Sequence, residues 1–204
     1  MLRGRATVLR MLPQDESRLI LASASPRRQE LLREAGIAFA VHAAHINEDQ
    51  RPGEPPVEYA LRLAREKAQA IAQHYPQSYV LGADTIVVID GESLGKPLDA
   101  ADAMRMLRRL SGREHQVTTA VAVVSPGGNI AVRSSTTKVC FREITDAEIA
   151  KYAAGGEPMD KAGAYAIQGG ASRWTNLIVG EFSNVVGLPL SLVTELLRSS
   201  GFLD

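Results

Sequence analysis

The sequence predicts an α/β fold in which a mixed, strongly twisted central sheet is flanked by helices and shaped into two lobes around a cleft. Three observations predict it. Residues 78–90 form a nearly continuous apolar run rich in β-branched side chains, as in a strand buried on both faces. In the first half of the chain, short apolar runs alternate with helical stretches that carry one apolar face. Residues 116–124 and 130–141 then read as two long strands joined by the hairpin signal Ser125-Pro126-Gly127-Gly128. With a helix over 147–154, these strands predict a second lobe facing the first across a groove.

The elements follow in order. Residues 19–22 are a short apolar run and the first strand. Ser25 as N-cap and Pro26 as first helical residue open a helix that stops at Gly36. Residues 39–42 predict a second strand, and Pro52-Gly53-Glu54-Pro55-Pro56 breaks the chain before the next helix. That helix, over 57–74, places Val57, Ala60, Leu61, Ala64, Ala68 and Ile71 on one face. After the central strand, residues 90–93 read as a turn pivoting on Gly91. Asp99 caps a helix ending at Gly112, and Asp146 caps the helix over 147–154. Residues 157–170 lack periodicity and read as a structured loop or the wall of a site. Residues 174–179 predict a strand, 183–189 a turn and 190–197 a final amphipathic helix.

A length of 204 residues suits one domain with an ample core, assigned to 18–204. Residues 1–17 carry Arg3, Arg5 and Arg10 but no apolar signal segment. They are expected to be a flexible extension, with an upstream start before Met11 or an organelle transit peptide as the other readings. A formal net charge of zero disfavours nucleic acid as a partner. No apolar run reaches membrane-spanning length. The single Cys140 excludes a disulfide framework, and no Cys/His cluster suggests zinc. A cytoplasmic location is the expectation.

Polar residues that break the apolar pattern mark the candidate site. Asp84 sits in the middle of the central run, where a carboxylate must be paired, metal-bound or hydrogen-bonded. Its local alternatives are a catalytic or metal-binding acid in a cleft and a strand-bulge Asp bonded to its own turn. Gly82 and Ala83 leave room for something to approach the backbone. Lys67 projects within about 20 degrees of Ala60, inside the apolar face. It requires a partner such as a phosphate or Asp84, unless it snorkels from the edge of the stripe. Arg27 and Arg28 lie in a first helical turn at the end of a strand, beside Ser23 and Ser25. Such a turn serves an anion site or a simple capped helix with solvated arginines. Lys96 is held on stiff backbone between Gly95 and Pro97. Glu48 is a loop charge or a metal ligand. Gln168, between an apolar residue and two glycines, offers the donor and acceptor needed to read a base edge. Four cations with at least one acid suit a polyphosphate bound with a divalent metal. Neither a Walker A loop nor GxGxxG is present.

Ser23-Ala24-Ser25-Pro26-Arg27-Arg28, Arg65-Glu66-Lys67-Ala68, Gly82-Ala83-Asp84-Thr85, Gly95-Lys96-Pro97 and the run from Asp160 to Gly169 occur in that order. In this the chain resembles the Maf family over roughly residues 18–200. The resemblance implies an inosine triphosphatase-like fold. It also implies a nucleoside triphosphate pyrophosphatase that cleaves between the α and β phosphates with Mg²⁺ or Mn²⁺. By the same resemblance Asp84 is the proton acceptor, Lys67 and Lys96 bind phosphate, and Ser23 and Arg28 support them. Glu48 corresponds to an acidic residue near the metal, although Asn47 stands where many relatives carry Asp. Arg27, Thr85 and Gln168 match the positions that distinguish subgroups, here the one acting on dTTP and UTP. Ala166 departs from the usual glycine and adds a methyl group near the pocket. A homodimer is a family expectation. The alternative functions are hydrolysis of modified nucleotides such as 7-methyl-GTP, and nucleotide sensing in the control of cell division, to which the family has been linked through septum formation.

Overall fold

The computed structural model describes residues 18–204, so the reading of residues 1–17 lies outside it. The chain forms β1 (Leu19–Leu21), α1 (Pro26–Glu34), β2 (Ala40–Val41), α2 (Pro56–Ala72), β3 (Tyr79–Ile89), β4 (Glu92–Leu94) and α3 (Ala100–Leu110). It continues through β5 (Glu114–Val124), β6 (Ile130–Phe141), α4 (Asp146–Ala154), β7 (Thr175–Val179), α5 (Phe182–Val186) and α6 (Leu190–Ser199). All seven strands share one sheet of order β2-β1-β3-β5-β6-β7, with β4 added beside β3. β1 runs parallel to β2 and β3, and the remaining pairs are antiparallel, which makes the sheet mixed, as predicted. Both lobes are therefore built on one sheet, and the cleft opens beside β3. Among the described residues no helix is long and apolar enough to cross a membrane.

The strand period of two divides β3 between two cores. Val80 and Ile86 face α2, packing with Ala60, Ala64 and Ala68. Leu81, Ala83, Val87 and Ile89 face the opposite layer, with Leu32 of α1, Leu107 of α3 and Leu197 of α6. Gly82 explains how close α2 comes. A Cβ there would lie 2.4 Å from the Ala64 carbonyl oxygen and 2.8 Å from the Ala68 nitrogen. What approaches the backbone at Gly82 is thus a helix. Of the residues assigned to the apolar face of α2, Val57 is exposed in the first turn, while Leu63 joins the core.

Several local expectations are corrected. β3 is one uninterrupted strand, and its register with β5 is unbroken from Val80 to Val88, so Asp84 occupies no bulge. The 90–93 turn is only two residues long. Asp90 (φ 55) and Gly91 (φ 79) both adopt the left-handed conformation of a tight hairpin, which frees Glu92 and Ser93 to form β4. Thr145, not Asp146, caps α4. Its hydroxyl accepts from the Glu148 backbone N–H while the Glu148 side chain accepts from the Thr145 N–H, forming a capping box. Residues 183–189, read as a turn, contain most of the short helix α5. Ser25 holds the N-cap position of α1, but its side chain makes no capping bond. Residues 157–170 form only short 3-10 turns, in keeping with a structured wall.

Candidate active site

The site forms at a gap along one edge of β3. On the other edge β5 pairs with it over 80–88. On the broken edge β1 covers 79–81 and β4 covers 87–89, which leaves 82–86 without a strand partner. β1 ends there and its chain turns into α1. The C-terminal end of a parallel pair and a helix N-terminus thus meet at the gap, the arrangement that makes ligand crevices in α/β sheets.

Asp84 and Thr85 lie in this gap and, as neighbours in a strand, point to opposite faces. Asp84 faces α2 and is 8% exposed. The Lys67 ammonium donates to Asp84 Oδ1 at 2.7 Å and sits 2.8 Å from Glu48 Oε1. The lysine that broke the apolar pattern of α2 therefore has two carboxylates as partners, one from β3 and one from the 43–55 loop. Burial pushes the Asp84 carboxyl above its usual range, while Lys67 and Arg28 pull against that rise. Burial raises Glu48 too, but there the hydrogen bond and charge of Lys67, with the charges of Lys96 and Arg28, prevail and hold it below its ordinary value. Burial thus prevails at Asp84, and the neighbouring cations prevail at Glu48.

Arg28 serves differently from a simple phosphate clamp. Its Nε donates to the Gly187 carbonyl (2.9 Å), Nη1 to Ala83 O (2.8 Å) and Ser23 Oγ (3.2 Å), and Nη2 to Thr85 Oγ1 (3.1 Å). The bond to Ala83 O satisfies a carbonyl within the strand gap, where no neighbouring strand can. Four of its five donors are spent inside the protein. Burial lowers its pKa. The Thr85 hydroxyl is likewise engaged, with Arg28 and with Thr119 Oγ1 at 3.0 Å. Ser23 is 9% exposed and also accepts from the Ser25 N–H.

Arg27, Lys96 and Gln168 line the same cleft of about 620 Å³, together with Ser23, Arg28, Glu48, Lys67, Asp84 and Thr85. All nine residues singled out from the sequence converge there. Arg27 and Lys96 make no ion pair among the described residues, although Asp160 feels the charge of Arg27 and Glu48 that of Lys96. Tyr59 was missed. Its hydroxyl donates to the Glu48 carbonyl at 2.6 Å and so fixes the acidic loop to α2. Its one sequence signal was an aromatic at the border of the apolar stripe of α2. Arg62 reinforces this tether, donating to both oxygens of Glu54 (2.6 and 2.8 Å) and to the Asp49 carbonyl (3.0 Å). Lys161 also lines the cleft, but its ammonium is taken by the Glu157 carbonyl at 2.8 Å and by Asp160.

The carboxylate pair suits a hard divalent cation. Asp84 and Glu48 oxygens already share a cation, the Lys67 ammonium, at 2.7 and 2.8 Å. Two carboxylates completed by substrate phosphate oxygens are a common environment for Mg²⁺.

Comparison with known proteins gives four matches. The family model for Maf-like protein matches residues 18–200. A protein of Koribacter versatilis (strain Ellin345) named dTTP/UTP pyrophosphatase is 56% identical over 185 residues, covering 91% of this chain and 95% of that one. One of the same name from Geobacter metallireducens is 52% identical over 190 residues, covering 93% and 99%. Among solved structures, the Staphylococcus aureus Ham1 protein matches with a TM-score of 0.51 at 15% identity, over 89% of this chain and 98% of that one, a likeness of fold.

Proposed function

The chain belongs to the Maf family, and from that premise we propose that it is a nucleoside triphosphate pyrophosphatase that hydrolyses dTTP and UTP to the monophosphate and pyrophosphate. The observation that carries this reading is Asp84: a buried carboxylate at the gap in β3, 2.7 Å from Lys67, opening on a cation-lined cleft. Asp84 accepts the proton of the water that attacks the α-phosphorus, and its raised pKa makes it a stronger base for that step. Lys67 holds the two carboxylates in place and offsets their repulsion. Lys96 and Arg27 meet the β and γ phosphates, where positive charge counts most as pyrophosphate leaves. Arg28 keeps Ser23, Ala83 and Thr85 in register, so its contribution is orientation.

Asp84 and Glu48 would hold the Mg²⁺ or Mn²⁺ ion expected of this chemistry. When bound, such an ion neutralises triphosphate charge and polarises the scissile phosphorus. The carboxamide of Gln168, exposed at the cleft, offers its oxygen to the N3–H of uracil or thymine and its NH₂ to a ring carbonyl. Guanine presents a similar pair, so the base panel must include it.

The test is release of pyrophosphate from dTTP, UTP, CTP, GTP and 7-methyl-GTP, with Mg²⁺ or Mn²⁺ and with EDTA. Metal-dependent release from dTTP and UTP is expected, and Asp84→Asn should lower kcat by about 10²- to 10⁴-fold, the usual worth of a general base. Orthophosphate as the product, or release that survives Asp84→Asn, would overturn the assignment. Preference for 7-methyl-GTP would move the chain to the other subgroup.

A further inference from the structure

Gln168 stands on a segment with no sheet or long helix to brace it, yet the backbone on both sides of it is pinned by two side chains. On one side the Ala166 N–H donates to the Tyr152 hydroxyl oxygen at 3.0 Å. On the other the Gly170 N–H donates to Glu157 Oε1 at 3.1 Å and Oε2 at 3.4 Å. The two anchors are themselves joined, because the Tyr152 hydroxyl donates to Glu157 Oε1 at 2.9 Å. Lys161 closes the arrangement from below by donating to the Glu157 backbone carbonyl at 2.8 Å. The fit is close: a Cβ at Gly169 would lie 1.9 Å from Glu157 Oε1, so that carboxylate occupies the space beside the glycine. Tyr152 is fixed in turn by its position in α4 and by an edge-on contact with Trp174, centroids 4.9 Å apart. Between the pins, Ile167 is buried and Gln168 projects into the cleft.

We propose that Tyr152 and Glu157 are positioning residues for base selection, holding 166–170 so that the Gln168 carboxamide meets the pyrimidine edge at a fixed height in the cleft. The inference rests on the base-reading role of Gln168 proposed above. Its physical basis is that discrimination by a hydrogen-bonding side chain depends on leaving the wrong base unpaired, which a mobile carboxamide cannot enforce. The phenol remains protonated, as its donation to Glu157 requires: burial raises its pKa and the adjoining Glu157 charge adds to the rise, against the bond from the Ala166 N–H. Neither residue lines the cleft that Asp84 and Lys67 open on, so selection can change while the chemical step is preserved.

Three variants separate this from a general structural role. Tyr152→Phe keeps the ring against Trp174 and frees the Ala166 N–H. Glu157→Ala frees the Gly170 N–H. Glu157→Gln retains an acceptor oxygen for both donors. Amide hydrogen exchange should quicken about tenfold or more at Ala166 in Tyr152→Phe and at Gly170 in Glu157→Ala, and stay near wild type in Glu157→Gln. With dTTP and UTP, KM should rise about tenfold in the first two variants while kcat stays within about twofold, and the preference over CTP and GTP should narrow; Glu157→Gln should restore it. Unchanged exchange would overturn the clamp. Faster exchange with unaltered selectivity, or an equal fall in kcat on every nucleotide, would overturn the selective role. A wild-type enzyme inactive on dTTP and UTP would overturn the pyrimidine reading and the selective role with it, while the exchange measurements would still decide the clamp.

Discussion

Lys67 shows how one residue organises a site. A lysine in an alanine-rich helix face is costly unless its charge is met, and here Asp84 and Glu48 meet it from two sides. Each carboxylate is stabilised by the cation and destabilised by the other. In Lys67→Met the larger restraint on Asp84 is lost and only the Arg28 charge still opposes burial and the Glu48 charge, so the pKa of Asp84 rises further. Asp84 must be ionised to accept a proton, so the acidic limb of the kcat/KM profile should move to higher pH, and kcat/KM at neutral pH should fall by about 10²-fold. A pH profile of this variant checks it; a limb that stays in place would show that Lys67 does not set the state of Asp84.

At the scale of elements, the site depends on how closely α2 lies on β3. Gly82 makes that approach possible, and Lys67 reaches Asp84 because Ala64 and Ala68 bracket it in contact with the strand. Gly82→Ala would drive a Cβ into the helix backbone at 2.4 Å, where no flexible side chain can yield. The expected loss is about 2–3 kcal/mol of stability, together with displacement of Lys67 from Asp84. Urea unfolding gives the first and activity the second. The strands and helices that make this contact were legible in the sequence, since the apolar run of β3 and the stripe of α2 have unambiguous periods. β4 was not, because Glu92 and Ser93 look like turn residues until Asp90 is seen to take the left-handed conformation. The cap at Thr145 competed with an equally plausible Asp146, and only the reciprocal bond to Glu148 decides between them.

At the scale of the molecule, Arg28 ties together segments far apart in the chain. Its guanidinium spans Ser23, Ala83, Thr85 and the carbonyl of Gly187, joining the β1–α1 turn to the broken edge of β3 and to the end of α5. Lysine has the charge but not the fork. Arg28→Lys leaves Ala83 O or Gly187 O without its partner in a part-buried site, and should cost about 1–2 kcal/mol in stability. Thermal and urea unfolding measure it. A loss well under 1 kcal/mol would mean that water replaces the lost bonds and that the tie is weaker than its geometry implies.

The sequence by itself determined the mixed α/β class, the family, and the set of polar residues that belong together, because an ionisable group in an apolar pattern is conspicuous wherever the chain later places it. Tertiary structure alone decided what each does toward the others. Arg27 and Arg28 are adjacent, chemically alike and both line the cleft, yet Arg28 is the one that turns its donors to the interior, among them one to the Ala83 carbonyl in the gap of β3. Tyr59, Tyr152 and Glu157 carry no sequence signal of comparable strength. Their roles arise from backbone groups of remote loops, and a hydrogen bond to backbone leaves no mark on the identity of the residue that receives it.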